Sequence, residues 1–331
     1  MSISAIVPVW NGRELLRRLL DSVGAQTEAP AEVLVVDNGS TDGADEAAWT
    51  RGARVIAMGR NAGFAAAVNR GIRESRGEWI AVLNSDVELA PAYFAELLAA
   101  AQAQDAWFAT GKILAASPER RIDATFDALC RGGCAWRVGS GCPDGPVFSA
   151  ARRIYLAPWT ALLARAELFA RVGLLEERFE SYLEDVDFGL RCGLRQYNGL
   201  YVPEAIAWHR GSAALGRWHP EMVRRIARNQ LFLIARHYPR PLAWRCIWPI
   251  LVAQVLWGGV ALRHGAGLAW LRGKWQGLRR IAELRNSAEA ADAGTLEALL
   301  RSDEKTIHAI QAATGFDSYW KSYFLLTGGT N

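Results

Sequence analysis

Residues 33–43 read VLVVDNGSTDG: four aliphatic side chains run straight into an aspartate and a turn of Asn, Gly, Ser, Thr and Asp. A run that short, apolar throughout and stopped by turn formers, is the pattern of a strand buried on both faces. The pattern recurs on either side. Strands are predicted over Ser4 to Val9, Glu32 to Val36, Arg54 to Met58 and Trp79 to Leu83. Helices are predicted over Glu14 to Ser22, over Ala62 to Ser75 and after Pro91. Such alternation argues for a parallel sheet with helices on both faces, whose ligands gather beyond the carboxyl ends of the strands. Asp37 and the Asn84-Ser85-Asp86 turn both fall there.

Farther along, the pattern loosens. The region 106–163 is irregular; its stretch RGGCAWRVGSGCPDGP (131–146) reads as a long loop or irregular hairpin, and Tyr155 to Ala164 as a core strand. A helix over Leu183 to Leu194 and short strands over Leu200 to Val202 and Ala205 to Trp208 follow, and beyond 220 the chain reads as helical.

With 331 residues, 51% apolar and 22% charged, the chain is long enough for a core of roughly 200 residues plus an appendage, and a disordered protein is excluded. The net charge of +4 hides an asymmetry: residues 210–285 hold 14 Lys or Arg against only Glu221 and Glu283. A basic stretch suits nucleic acid or an anionic lipid surface. Its Trp and aliphatic content, and the lack of a nucleic-acid recognition motif, favour lipid. Cys246 to Leu262 is uncharged for 17 residues but interrupted by Pro249 and Gly258-Gly259. It reads as a helix lying at headgroup level, with a buried helical pair as the alternative and a spanning helix as the least favoured. The N-terminus shows no basic leader or cleavage pattern, so the catalytic part is expected on the cytoplasmic side. The five cysteines have no strong zinc spacing and read as free thiols.

Each candidate site residue has a plain structural reading beside the chemical one. Asp37 can close an Asx-turn or accept hydrogen bonds from a nucleobase imide or a ribose hydroxyl. In RNAGF (60–64), Asn61 can cap a helix start and Gly63 permits close backbone approach, while Asn69 can be a satisfied helix amide or a ligand contact. Asp86 can cap its turn or offer a hard oxygen to Mg2+ or Mn2+. His209 is a structural imidazole or a metal ligand, better matched to Mn2+. In Glu184-Asp185-Val186-Asp187, Asp185 is the candidate general base and Glu184 the residue orienting an acceptor, against an ordinary acidic helix start. Asp187 and Arg191 stand four apart and pair on a helix. No GxGxxG or GxxxxGK[ST] is present, so neither a nicotinamide domain nor a P-loop is supported.

Taken in order, IVPVWNG (6–12), VVDNGSTDG (35–43), RNAGFAAAVNRG (60–71), VLNSDV (82–87), FESYLEDVDFGLRC (179–192) and YVPEAIAWHRGS (201–212) resemble the family 2 glycosyltransferases, particularly their rhamnosyltransferase-like branch. The resemblance implies an α/β GT-A fold: a nucleotide-binding Rossmann-like sheet merged with an acceptor-side mixed sheet over residues 1–215, in halves of about 1–115 and 116–215. A basic, helical C-terminal region spans 216–331. It implies transfer of a sugar with inversion. Carried over by resemblance, Pro8 and Asp37 hold the nucleotide, and Asn61, Gly63 and Asn69 line the donor region. Asn84, Ser85 and Asp86 stand at the DxD motif with Asp86 as metal ligand, Asp185 is the base, and His209 is the later metal ligand. Asn84 departs from the motif and removes one negative charge. The branch implies dTDP-L-rhamnose as donor, with a UDP-linked hexose or galactofuranose as the alternative. The acceptor implied is a polyprenyl-diphosphate-linked saccharide of lipopolysaccharide or another cell-surface polysaccharide, met at the inner face of the cell membrane. An inactive glycan-binding subunit and a nucleotidyltransferase are the rival readings. The aromatic residues Phe316, Tyr319, Trp320, Tyr323 and Phe324 are expected to cover the catalytic domain or form a homo-oligomer contact.

Overall fold

The computed structural model describes residues 1–211, 218–286 and 292–328. The chain divides into two compact units, Met1–Phe126 with Gly139–Ala214, and Asp127–Val138 with Leu215–Asn331.

The first unit is built on the strands that the sequence announces. Strands β1 (Ile3–Val9), β2 (Glu32–Asp37), β3 (Arg54–Ala57) and β4 (Trp79–Leu83) pair in parallel, in the order β3-β2-β1-β4. Helices α1 (Arg13–Gly24), α2 (Ala44–Trp49) and α3 (Phe64–Glu74) connect them. On α1 the residues Leu16, Leu19, Leu20 and Val23 recur at helical spacing and are buried, and each contributes about 1.5–3 kcal/mol by leaving water. After β5 (Val87–Leu89) and α4 (Tyr93–Ala103), the sheet continues through β6 (Phe108–Ala115), which with its short partner β7 (Ile122–Ala124) belongs to the stretch that the sequence leaves irregular. Gly111 and Lys112 break the apolar pattern of β6, and the structure shows why both are there. A Cβ on Gly111 would lie 2.1 Å from the Ala205 carbonyl oxygen, and the buried Lys112 ammonium bonds Asp144 at 2.9 Å.

The sheet is mixed, where strand–helix alternation alone predicts a parallel one. Strand β11 (Ala161–Arg165) runs antiparallel between β4 and β6. The chain reaches it through β10 (Arg152–Ile154) with no crossover helix to turn it parallel. The run Tyr155 to Thr160 is not strand: Tyr155 and Leu156 lie against α6 (Glu184–Leu194), where a Cβ on Gly189 would come within 2.6 Å of the Tyr155 carbonyl oxygen. Between β11 and α6 lies α5 (Ala166–Val172). The two short strands expected near 200 and 207 are one, β12 (Gly199–His209), parallel to β6 and bulged between Val202 and Ile206. The bulge accommodates Pro203, which donates no ladder hydrogen bond.

The second unit contains the hairpin β8 (Asp127–Leu129) and β9 (Ala135–Arg137), with helices α7 (Pro220–His237), α8 (Arg240–Arg245), α9 (Ile247–Arg263), α10 (Gly267–Arg279), α11 (Ile281–Asn286), α12 (Ala293–Thr314) and α13 (Ser318–Thr327). The Gly-rich stretch at 131–134 is the hairpin's tip, and its glycines are required by crowding. Cβ atoms on Gly132 and Gly133 would meet Ala253 and Ile234 at 2.2 and 2.6 Å. Gln254 Nε2 donates to the Gly132 carbonyl at 2.9 Å, and Asp303 accepts from Leu129 N at 2.7 Å. Glu304 accepts from Arg131 N at 3.0 Å, from Arg131 Nε at 2.7 Å and from the Tyr323 hydroxyl at 2.6 Å. Lys274 is buried among the Ala227 carbonyl, Gln230 and Gln254, and its burial among neutral acceptors pulls its pKa down to about 7.

Trp320, Tyr323 and Phe324 are buried, and Trp320 packs on Trp136 of β9 with ring centroids 6.1 Å apart. Those three rings pack in the second unit's own core.

Candidate active site

The carboxyl ends of β1 and β2 carry two loops that are stitched together. Asp42 accepts from Gly12 N at 2.6 Å and Arg13 N at 2.9 Å, satisfying the first N–H groups of α1, and Asn11 N donates to Ser40 Oγ at 2.8 Å. Pro8 is buried in β1 opposite Val36, and Asp37, at the strand end, is 8% exposed. One Asp37 oxygen accepts from Ser40 N, three residues on, at 2.9 Å, the local capping bond that the structural reading of this aspartate foresees. That bond fixes the carboxylate's direction at the sheet edge.

The next loop is organised by Asn38, which the sequence reading passed over. Its Oδ1 accepts from Ala62 N at 2.8 Å, and its Nδ2 donates to Asn61 Oδ1 and the Gly63 carbonyl, each at 3.1 Å. Asn61 also accepts from Gly63 N at 3.0 Å. Gly63 is left-handed (φ 93°), and a Cβ there would lie 2.9 Å from the Glu180 carbonyl oxygen. The close approach that this glycine permits is by the protein's own backbone, because Ala65 N donates to that same carbonyl at 3.0 Å. Asn69, 1% exposed, gives its amide to Leu175 O and Glu177 Oε1, both at 2.9 Å, and accepts from Leu175 N at 3.0 Å. Its amide is satisfied, and it ties α3 to the segment at 175–177.

The segment that presses on Gly63 leads directly into α6. Glu180, Tyr182 and Leu183 all have positive φ (62°, 73° and 68°), a costly conformation for side chains of their size. It turns the chain sharply into Glu184 and Asp185, which are 6% and 8% exposed. Asp185 Oδ1 accepts from Val186 N at 2.9 Å, and the helix N-terminus favours negative charge at this place. Asp187 is fully buried and pairs with Arg191 at 3.1 Å; Arg191 also donates to the carbonyls of Val172 and Leu174. Asp187 is thus a structural anchor for α6, as its spacing from Arg191 predicts.

Asp86 and His209, 123 residues apart in sequence, meet because β5 pairs antiparallel with the end of β12, Val87 opposite His209. Arg210 N donates to the Asp86 carbonyl at 3.1 Å and closes the turn. His209 Nε2 stands 3.1 Å from Asp86 Oδ1, and Nδ1 stands 2.9 Å from Asp123 Oδ2. Burial by itself would lower the imidazole's pKa, but the hydrogen bonds that the ring donates to Asp123 and Asp86 outweigh it and raise the pKa to about 9. Asn84 and Ser85 are partly exposed beside Asp86, with Asn84 N tied to the Thr160 carbonyl at 2.9 Å. Gly211 follows His209 in a left-handed turn; Ser212 lies outside the described residues.

The donor set fits a divalent cation of the Mg2+ or Mn2+ type. The N–O separation of 3.1 Å is that of Nε2–H donating to Asp86 Oδ1 in the protonated ring, and once the ring is neutral the same two atoms are both acceptors open to a cation. The separation also matches neighbouring corners of an octahedron with metal–ligand bonds of about 2.1 Å. Among the described residues no group of three or more His, Cys, Asp or Glu is arranged to hold a metal ion. Two protein ligands complemented by phosphate and water oxygens are the usual arrangement for Mg2+ on a diphosphate.

Comparison with known proteins agrees with this architecture. The model for the family described as Glycosyl transferase family 2 matches residues 4–134. The chain is 33% identical over 261 residues to an N-acetylglucosaminyl-diphospho-decaprenol L-rhamnosyltransferase of Mycobacterium tuberculosis, covering 69% of this chain and 84% of the relative. It is 29% identical over 228 residues to an O-antigen biosynthesis protein of Myxococcus xanthus, which covers 64% of this chain and 17% of that protein. Among solved structures, GalNAc-T7 with UDP, GalNAc and Mn2+ superposes with a TM-score of 0.63 at 14% identity, covering 95% of this chain and 58% of that one. At that identity the likeness is one of fold.

Proposed function

We propose that this chain, which belongs to the family 2 glycosyltransferases and to their rhamnosyltransferase-like branch, transfers L-rhamnose from dTDP-L-rhamnose to a polyprenyl-diphosphate-linked saccharide with inversion. It is a glycosyltransferase of GT-A fold. The donor and acceptor classes are supported by the mycobacterial relative, whose name gives an L-rhamnosyl transfer onto a lipid-linked N-acetylglucosamine. The observation that carries the reading is the meeting of Asp86 with His209 at the strand ends, in a first unit that also holds Asp37 at the edge of β2 and Asp185 at the start of α6.

In this reading Asp37 holds the nucleoside, and Asn61, Gly63 and Asn69 keep the donor loop in shape. Asp185 takes the proton of the acceptor hydroxyl as that oxygen forms its bond to the anomeric carbon. The bond from that carbon to the diphosphate breaks on the opposite face, and its electron pair leaves with the diphosphate. Asp86 and His209 would hold a Mg2+ or Mn2+ ion, whose charge would offset the one developing on the leaving group. Glu184 orients the acceptor sugar. The test is transfer by the purified chain, supplied with Mn2+, a polyprenyl-diphosphate-linked N-acetylglucosamine and, in turn, dTDP-rhamnose, UDP-hexoses and UDP-galactofuranose. A deoxyhexose gained by the acceptor in mass spectrometry, lost with EDTA and restored by Mn2+, is the expected result. Gain of a hexose overturns the donor, and undiminished transfer in EDTA overturns the cation.

A lipid-linked acceptor requires the enzyme to reach a membrane, and the helical unit has a surface for it. On α9 the exposed large residues Trp248, Leu251, Val255 and Leu262 follow one helical stripe, and on α10 Leu268, Leu271, Trp275 and Leu278 form another. The face of α10 turned into the protein carries the small residues Ala269, Gly273 and Gly277 instead; a Cβ on Gly273 would lie 2.3 Å from the Arg224 carbonyl oxygen. A helix with small residues inward and large apolar ones outward is inverted for a protein surrounded by water and suited to one lying on lipid. Arg263 at the end of α9, Arg272 and Arg279 on α10 and Arg240 at the start of α8 are exposed and complement anionic headgroups. Among the described residues no helix is long and apolar enough to cross a membrane. The enzyme is therefore proposed as peripheral at the inner face of the cell membrane. Vesicles containing anionic phosphatidylglycerol should sediment the protein and neutral phosphatidylcholine vesicles far less. Trp248→Asp with Trp275→Asp should weaken anionic-vesicle binding about tenfold or more. Equal binding by the double variant would remove these helices as the attachment.

A further inference from the structure

Nothing in the sequence motifs points to Asp123, yet it is the residue that holds His209 from behind. It stands on β7, whose ladder with β6 shifts register at this point: Ala124 pairs with Ile113, and Ile122 with Leu114. Asp123 is the extra residue of a β-bulge, the irregularity that re-aims a side chain next to a site. Two strands away, β12 runs parallel to β6 with His209 opposite Ala115, and Ala116 N donates to the His209 carbonyl at 2.8 Å. The bulge delivers the Asp123 carboxylate to the Nδ1 side of the ring at 2.9 Å, while β5 delivers Asp86 to the Nε2 side at 3.1 Å. The His209 side chain is 9% exposed and the Asp123 side chain 20%. Gly211 adds no bulk beside the pair: a Cβ there would come to 3.7 Å from Asp123 Oδ1 and 3.8 Å from His209 Nδ1.

We propose that Asp123 is a positioning residue for the cation site. By accepting the Nδ1 proton of His209, it fixes the ring's tautomer and direction, so that the Nε2 lone pair faces the space beside Asp86. The two ring nitrogens of a ligating histidine have divided tasks. One gives its lone pair to the metal, and the other donates its N–H to an oxygen that stops the ring from turning and makes the first nitrogen a better donor. A His209 without Asp123 has two tautomers and two ring orientations, only one of which offers Nε2 to the cation. The other carboxylate at the ring, Asp86, is itself a proposed cation ligand and cannot perform the second task at the same time. The inference rests on the reading that Asp86 and His209 hold the cation. It adds that their donor geometry is set from a third strand.

Mn2+ titrations of the full chain, followed by loss of the free-ion electron paramagnetic resonance signal with and without dTDP, separate the two claims. Asp123→Ala is expected to weaken Mn2+ binding about 10–100-fold. Asp123→Asn, whose amide oxygen can still accept the Nδ1 proton, should lose less. In the Asp123→Ala background, His209→Ala should cost little more. Nitrogen shifts of His209 in the Mg2+-loaded, 15N-histidine-labelled chain give a readout that altered folding does not mimic: the wild type should show the Nδ1–H tautomer, and so should Asp123→Asn. Wild-type affinity in Asp123→Ala, or an Nε2–H tautomer in the wild type, overturns the role of Asp123 and leaves the cation reading standing. Absence of Mn2+ binding by the wild type overturns both. Should Asp123→Ala fail to fold, the Asp123→Asn affinity and the tautomer decide.

Discussion

Asp185→Asn is expected to lower glycosyl transfer about 10²- to 10⁴-fold while leaving binding of dTDP and Mn2+ unchanged. The substitution keeps the shape of the side chain and removes the ability to take a proton. The Asp185 oxygen that accepts from Val186 N is matched by the amide oxygen of Asn, so the first turn of α6 keeps its hydrogen bond. Neither Asp86 nor His209 stands on α6, and the helix is anchored separately by Asp187 and Arg191. The loss should therefore fall on kcat, with the KM for donor nearly constant, because deprotonation matters only as the new bond forms. Single-turnover transfer with quantified product checks it. Full turnover in the variant would move the base to another residue, whereas a large rise in donor KM would make Asp185 a binding residue.

Glu304→Ala is expected to destabilise the helical unit by about 3–5 kcal/mol, the usual result of leaving one member of a buried ion pair behind. The Glu304 side chain is 5% exposed and the Arg131 side chain 13%, so solvent screens this pair little. The variant strands three donors at once: Arg131 N, Arg131 Nε and the Tyr323 hydroxyl. Removing Arg131 as well should cost less than the sum of the two single changes, because the uncompensated guanidinium goes with it. Denaturant unfolding followed by tryptophan fluorescence is the measurement, since Trp136 and Trp320 lie next to each other in this unit. A midpoint equal to that of the wild type would mean that the pair contributes nothing beyond its packing.

The parallel half of the sheet was legible because its strands are short, apolar and stopped by turn residues, so burial and strand ends are written in the same few positions. Strand β6 was not, since Gly111 and Lys112 are there for a neighbour's carbonyl and for Asp144, and neither partner is visible locally. The antiparallel insertion of β11 was hidden likewise, as direction is a property of the connection and not of an apolar run. In the site, Asp86, Asp185 and His209 carry motif spacing. Asn38 and Asp123 act through long-range hydrogen bonds, and the irregular β6–β7 pairing that brings Asp123 to His209 leaves no local sequence mark. The glycines at 132 and 133 looked like loop formers; their real cause, crowding by Ala253 and Ile234, lies more than 100 residues away.

That hairpin sets a timetable for the growing chain. Leu129 and Arg131 find their partners in Asp303 and Glu304, 174 and 173 residues later. At roughly 5–20 residues per second, the ribosome needs about 10–35 s to deliver them. For that interval Leu129 N and Arg131 have emerged without these two carboxylates, although α7 and α9 reach the hairpin's tip sooner. The helices made last are the ones that release the hairpin from waiting.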